Sequence, residues 1–176
     1  MKGLSEIKGY KVRGFGYISK TFESLGAAPS ALAMSEVYTA LAQGAIDGSM
    51  TQATYYEQSK LFEVAPYFYT DPLLTSSSMS MMVSKKVWDQ LPDDLKGILQ
   101  VANRWYSDQF EIRNRMEFRK MVKNFSKMGV TTISWPKEDL ETFKKTAASF
   151  LPEIAAKGPR VAKGVQIIET YLKTKQ

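Results

Sequence analysis

Hydrophobic positions along the first fifty residues change period several times. Residues 10–13, YKVR, alternate like a short strand and stop at Gly14-Phe15-Gly16. Over residues 17–25, Ile18, Phe22 and Leu25 fall on one helical face, and Gly26 stands where a helix C-terminal glycine belongs. Residues 28–34 read as a second extended segment. Ser35 is then placed to N-cap a helix, with Glu36 at the positive end of its dipole. Val37, Tyr38, Ala40 and Leu41 form that helix's apolar stripe, and Gly44 ends it. Residues 45–48 make a third extended piece.

This order, β-α-β-α-β, predicts an α/β fold with a mostly parallel sheet and flanking helices. Ligands in such sheets sit beyond the carboxyl ends of the strands. Arg13-Gly14, Met34-Ser35 and residues 48–51 are therefore expected side by side.

Further along, residues 54–62 are aromatic and amphipathic, and residues 64–69 are β-prone. Residues 71–80 form a Ser/Thr-rich connector, 79–83 read as an apolar strand, and 88–92 as a turn into a helix. Residues 93–128 hold no proline and a single glycine, Gly97, while apolar positions recur mostly every three or four residues, with one break around Ile112–Arg115. One helix of this length reaches about 50 Å at ~1.5 Å per residue. That is too long for one small domain, so it is expected to bridge two bodies or pack on a partner. Gly129 caps it, 130–135 is a strand, 140–150 a helix, and 163–172 an amphipathic tail.

Composition removes several chemistries. The chain of 176 residues has 44% hydrophobic and 24% charged residues, enough for a packed core. It contains no cysteine and no histidine. Disulfides, zinc–thiolate clusters and Ser-His-Asp or Cys-His catalysis are thereby excluded, and no cofactor or metal is expected. Acidic pairs at Asp93/Asp94 and Glu138/Asp139 sit at helix starts, where the dipole accounts for them, so no enzyme is predicted. The net charge of +6 favours anionic partners, but the cations are scattered and do not form the dense run typical of nucleic-acid binding. MKGLSEIKGY carries no apolar signal-peptide core, and no segment approaches the ~18 apolar residues of a membrane span.

Four phrases occur in order: IKGYKVRG (7–14), LGAAPSALAMSEVYTALAQGAIDG (25–48), KLFEVAPYF (60–68) and MVSKKVWDQLPDDLKGIL (82–99). Together they resemble the DctP-like substrate-binding proteins of tripartite ATP-independent periplasmic (TRAP) transporters, over nearly the whole chain. The resemblance implies a type II periplasmic-binding-protein-like second lobe, with the first lobe absent from this sequence. Residues 1–78 and 129–150 would form that lobe. Residues 79–128 would cross to the first lobe, and 151–176 would be a helical tail. It further implies a periplasmic location, capture of a small organic acid by lobe closure, and delivery to TRAP membrane subunits.

Arg13 leads the candidate residues. An arginine at a strand end, followed by Gly14 and Phe15, presents a planar fork to a carboxylate, with glycines allowing close approach. The residues alone equally allow a surface arginine paired with a glutamate; the resemblance matches Arg13 to the family's carboxylate-binding arginine. By the same resemblance Thr51 stands where many relatives have a ligand-contacting asparagine, and Gln52 is placed to take over the amide role. Met34 occupies a position where relatives place an aromatic, although core filling also explains it. Tyr55 is a candidate apolar wall or a packing residue, and Ser77 a candidate cleft rim or a solvated loop. The competing reading is a non-enzymatic interaction or self-association module, with Trp105, Tyr106 and Phe110 as the seam of the long helix.

Overall fold

The computed structural model describes residues 3–71 and 81–174. Its centre is β1 (Lys11–Arg13), flanked by β2 (Ala28–Ser30) and β3 (Gly48–Ser49), both parallel to it in the order β2-β1-β3. The crossovers are α1 (Gly16–Ser24) and α2 (Val37–Ala42), so the β-α-β-α-β order read from the sequence is present. Gly26 takes φ +98° just after α1, a conformation that glycine adopts without strain, and its carbonyl accepts the Gly9 N–H at 2.9 Å.

Two local expectations change. Strand β3 begins at Gly48, not at residue 45, because the Ala45 and Ile46 N–H groups both bond back to the Ala40 carbonyl and prolong the end of α2. Ser35 is not a helix N-cap. It lies inside a 3-10 turn, Met34–Glu36, that precedes α2, and the capping contact comes from the Glu36 carboxylate, which accepts from the Ala33 N–H at 2.9 Å.

A second parallel pair joins β4 (Tyr67–Tyr69) to β5 (Thr131–Ile133), which are more than sixty residues apart in sequence. Helix α3 (Ala53–Gln58) precedes β4, and between β4 and β5 come α4 (Lys85–Gln90) and α5 (Asp93–Asn124). Residues 88–90, expected in a turn, belong to α4, which Ser84 caps by accepting from the Val87 N–H at 3.2 Å. Residues 81–83 have no regular structure, in place of the expected strand; residues 72–80 lie outside the described residues. Helix α5 runs for 32 residues, ends in a 3-10 turn, and stops at Gly129 with φ +71°, as the proline-free periodic stretch predicted. Helices α6 (Lys137–Ala148), α7 (Leu151–Ala155) and α8 (Pro159–Lys173) complete the chain. Among the described residues no helix is long and apolar enough to cross a membrane.

Two hydrophobic clusters hold these elements. One joins Val37 and Ala40 of α2 to Ile46, Tyr56, Leu61, Met121, Phe125 and Val130. The other joins Leu4, Ile7, Phe22, Ala27, Trp135 and Phe143. Aromatic rings provide much of the contact: Phe68 lies 5.0 Å from Tyr56 and 5.1 Å from Phe125, and Phe22 lies 5.3 Å from Phe143. Because α1 contributes to one cluster and α2 to the other, both crossovers fix the sheet, and with it the ends of its strands.

Candidate ligand-binding site

The carboxyl end of β1 places Arg13, which is 6% exposed although it is a charged side chain. Its Nε donates to the Leu32 carbonyl at 3.0 Å and its Nη1 to the Met50 carbonyl at 3.2 Å. Leu32 follows β2 and Met50 follows β3, so the guanidinium links the ends of all three strands, as the topology required. No carboxylate among the described residues forms an ion pair with it. The surface Arg–Glu pair that the residues alone allowed is therefore not what this arginine makes. A buried charge without a counter-charge costs several kcal/mol.

The surroundings are built in register. Arg13 pairs with Ser30 on β2 and with Ser49 on β3, and its own carbonyl accepts the Met50 N–H at 2.8 Å. Gly14 is buried, and a Cβ there would lie 3.4 Å from Ser19 Oγ. The turn into α1 is thus packed tightly behind the arginine. Phe15 is exposed with its ring centroid 5.4 Å from the Arg13 Cζ, a cation–π contact that holds the guanidinium plane.

The Ser49 and Thr51 hydroxyl oxygens are both buried and have no hydrogen-bond partner among the described residues. Buried polar atoms are almost always satisfied, so two orphans on alternate residues, one in register with Arg13 and one two residues on, stand out beside the arginine. Gln52 is exposed at the start of α3, and its side chain makes no capping bond there. Met34 is half-buried against the first cluster, and its carbonyl accepts the Tyr55 hydroxyl at 2.8 Å; Tyr55 packs on the same cluster. These two are tied to each other two residues beyond Leu32. Ser77 lies outside the described residues.

Ser49 falls within residues 48–51, expected beside Arg13, but was not named as a ligand contact, and the carbonyls of Leu32 and Met50 were not singled out from the sequence. The carbonyls leave no trace in side-chain pattern. Ser49 had a signal, since a small polar residue directly beside a strand-end arginine on the next parallel strand shares its edge. The charged cluster of Tyr17, Lys20 and Glu153 lies elsewhere. There the Lys20 ammonium donates to Glu153 at 2.6 Å, holding the Glu153 carboxyl below and the Lys20 ammonium above their ordinary values. Both partners are exposed, and the pair ties α1 to α7.

The profile of the family described as bacterial extracellular solute-binding protein, family 7, matches residues 1–158. A solute-binding protein of Sulfitobacter sp. (strain NAS-14.1) is 30% identical over 161 residues, covering 87% of this chain and 48% of its own length. A TRAP periplasmic solute-binding protein from Colwellia psychrerythraea, solved with bound calcium and pyruvate, superposes with a TM-score of 0.85 at 26% identity, over 97% of this chain and 53% of that one. Another from Rhodoferax ferrireducens, solved with malonate, gives a TM-score of 0.82 at 23% identity, over 99% and 57%. The chain thus spans about half the length of the relatives it matches, and its fold is that of a lobe of a type II periplasmic binding protein.

Proposed function

The chain belongs to the bacterial extracellular solute-binding proteins of family 7, and on that premise we propose that it forms one wall of a cleft that captures a small organic carboxylate for a TRAP transport system. The observation that carries this reading is Arg13, buried, hydrogen-bonded to two strand-end carbonyls and without an acidic partner among the described residues. Its remaining N–H donors offer a planar fork to a carboxylate. The pyruvate bound by the Colwellia relative supports this substrate class.

In this reading Arg13 engages the carboxylate, with Gly14 and Phe15 at the turn behind it and Thr51, Gln52, Met34 and Tyr55 as the neighbouring wall. The first lobe closes over the ligand, and the closed form docks on the membrane subunits in the periplasm. Nothing is done to the ligand chemically; the protein is a carrier and no enzyme. Segment 79–128 crosses to that first lobe, a role supported by the exposed Ile98, Val101 and Trp105 on α5.

Calorimetry of the natural protein carrying this chain, against mono- and dicarboxylates, tests the proposal. Loss of a charge-assisted pair of ~1.5–3 kcal/mol makes Arg13→Ala bind roughly 10- to 150-fold more weakly. Arg13→Lys keeps the charge without the fork and is expected to recover a small part of the loss. Binding by Arg13→Ala as tight as by the parent, or no binding of any organic acid, ends the proposal.

A further inference from the structure

The net charge of +6 is distributed unevenly. Residues 113–127 hold Arg113, Arg115, Arg119, Lys120, Lys123 and Lys127 against one acid, Glu117, and so carry +5 of it; the rest of the chain balances to within one charge. Spacings of up to four residues keep these cations from forming a contiguous run in the sequence, and helix α5 brings them into line. All six are exposed. Glu117 is already engaged by the Lys120 ammonium at 3.2 Å. Among the described residues Arg113, Arg119, Lys123 and Lys127 form no ion pair.

The core sets the direction of this charge. Met121 and Phe125 are buried in the first hydrophobic cluster, on one side of the C-terminal end of α5. At about 100° per residue, Arg119 and Lys123 fall on the opposite side, with Arg115 and Lys120 on the flanks. Lys127 continues the row in the 3-10 turn. The result is a convex ridge about 20 Å long, at ~1.5 Å per residue. Every exposed residue from 119 to 127 is cationic or polar.

We propose that this ridge is a membrane-contact surface that rests reversibly on anionic phospholipid headgroups. The inference does not depend on Arg13 holding a carboxylate. Charge complementarity calls for an anionic partner, and the make-up of the ridge selects lipid over a folded protein. Protein interfaces have a desolvated centre in which aromatic residues are enriched and lysine is depleted, and the outward side of residues 119–127 has no such centre. A convex row of long, mobile cationic side chains offers no shape that selects a fixed surface, whereas lipid headgroups rearrange around it. The contact is electrostatic, without insertion, and fades within a Debye length of about 8 Å at physiological salt. It keeps the protein close to a bilayer without anchoring it there.

Sedimentation with vesicles tests this. The natural protein carrying this chain is mixed with vesicles of phosphatidylcholine alone, or of equal parts phosphatidylcholine and phosphatidylglycerol, at low and at physiological salt. It is expected to bind the anionic vesicles at low salt, to bind the neutral ones roughly tenfold more weakly or less, and to be released as salt rises. Arg119→Gln with Lys123→Gln is expected to weaken binding to the anionic vesicles roughly 10- to 30-fold, and Arg119→Glu with Lys123→Glu to weaken it further. Thermal unfolding of both variants is expected to match that of the parent, because both side chains are exposed. Failure of the parent to bind anionic vesicles at low salt overturns the proposal, and so does equal binding to neutral ones. An equal loss from Arg160→Glu with Lys163→Glu, exposed cations of α8, assigns the attraction to net charge and overturns the role of the ridge. Melting temperatures that fall in step with vesicle binding also overturn it, since they show the ridge to be covered within the protein itself.

Discussion

Met121 on α5 and Phe125 in the turn that continues it are 1% and 2% exposed, whereas Ile98, Val101 and Trp105 earlier in the same helix are 62%, 70% and 65% exposed. Apolar residues recur at similar spacing in both parts. The C-terminal end is surrounded by α3, the Tyr56 ring and Val130, and belongs to the first hydrophobic cluster. The front is supported by its own backbone, by a Lys96–Asp93 ion pair at 3.1 Å and by Tyr106 stacked on Phe110 at 5.5 Å. An exposed pair of that kind contributes little. Periodicity thus reports that a surface is built to be covered, and tertiary contact decides which part is covered by this chain. Among the described residues the Arg13 wall is a polar counterpart of the helix front: one has a cation without an acidic partner and orphaned hydroxyls, the other an exposed apolar stripe.

The largest expected effect separates the two ends of α5 by mutation. Phe125→Ala removes a ring that touches Tyr56 and Phe68 and should cost about 3–5 kcal/mol in urea unfolding. Trp105→Ala in the same chain should change stability by less than about 0.5 kcal/mol. A loss at Trp105 comparable with that at Phe125 breaks the contrast.

Alkaline pH tests the packed end without mutation. The Tyr56 hydroxyl donates to the Ala65 carbonyl at 2.7 Å, and burial pushes its pKa from 10.0 up to about 12. The unfolded phenol ionises near its ordinary value, so the stability contributed by neutral Tyr56 is complete below about pH 10. It declines as the pH rises through the folded value of about 12. The full effect is about 2–3 kcal/mol. Tyr56→Phe should flatten this decline in urea midpoints measured from pH 9 to 11; an equal slope in parent and variant assigns the loss to other groups.

Much of this architecture was legible because local rules and tertiary structure agree. Gly26, Gly44 and Gly129 all adopt positive φ where the periodic pattern broke, and Arg13 stands at the strand end that the β-α-β order implied. Misreadings arose where a backbone contact outweighed a side-chain preference. Ser35 lies inside a 3-10 turn where Glu36 instead accepts the Ala33 N–H, and Ala40 accepted two N–H groups from the start of the expected third strand. At the candidate site the arginine could be named from the sequence. Its carbonyl partners and the orphaned state of Ser49 Oγ could not, because both depend on which atoms lack a neighbour after folding.

The smallest effect gives the finest test of the comparison. Gly97 sits in the front of α5, and a Cβ there would meet nothing within 4 Å. Alanine is favoured over glycine in a helix by about 0.5–1 kcal/mol, since it restricts the unfolded backbone. Where that energy appears depends on whether the front folds together with the core. An uncovered helix end opens by itself, so in this chain Gly97→Ala should raise helical circular dichroism and slow amide exchange over residues 93–110 while the urea midpoint stays fixed. In the natural protein, if another lobe covers the stripe, the same substitution should move the global midpoint by its full amount. A full shift already in the 176-residue chain would mean that the front of α5 unfolds with Met121 and Phe125 as one unit, and the two ends would no longer differ in the way their exposure indicates.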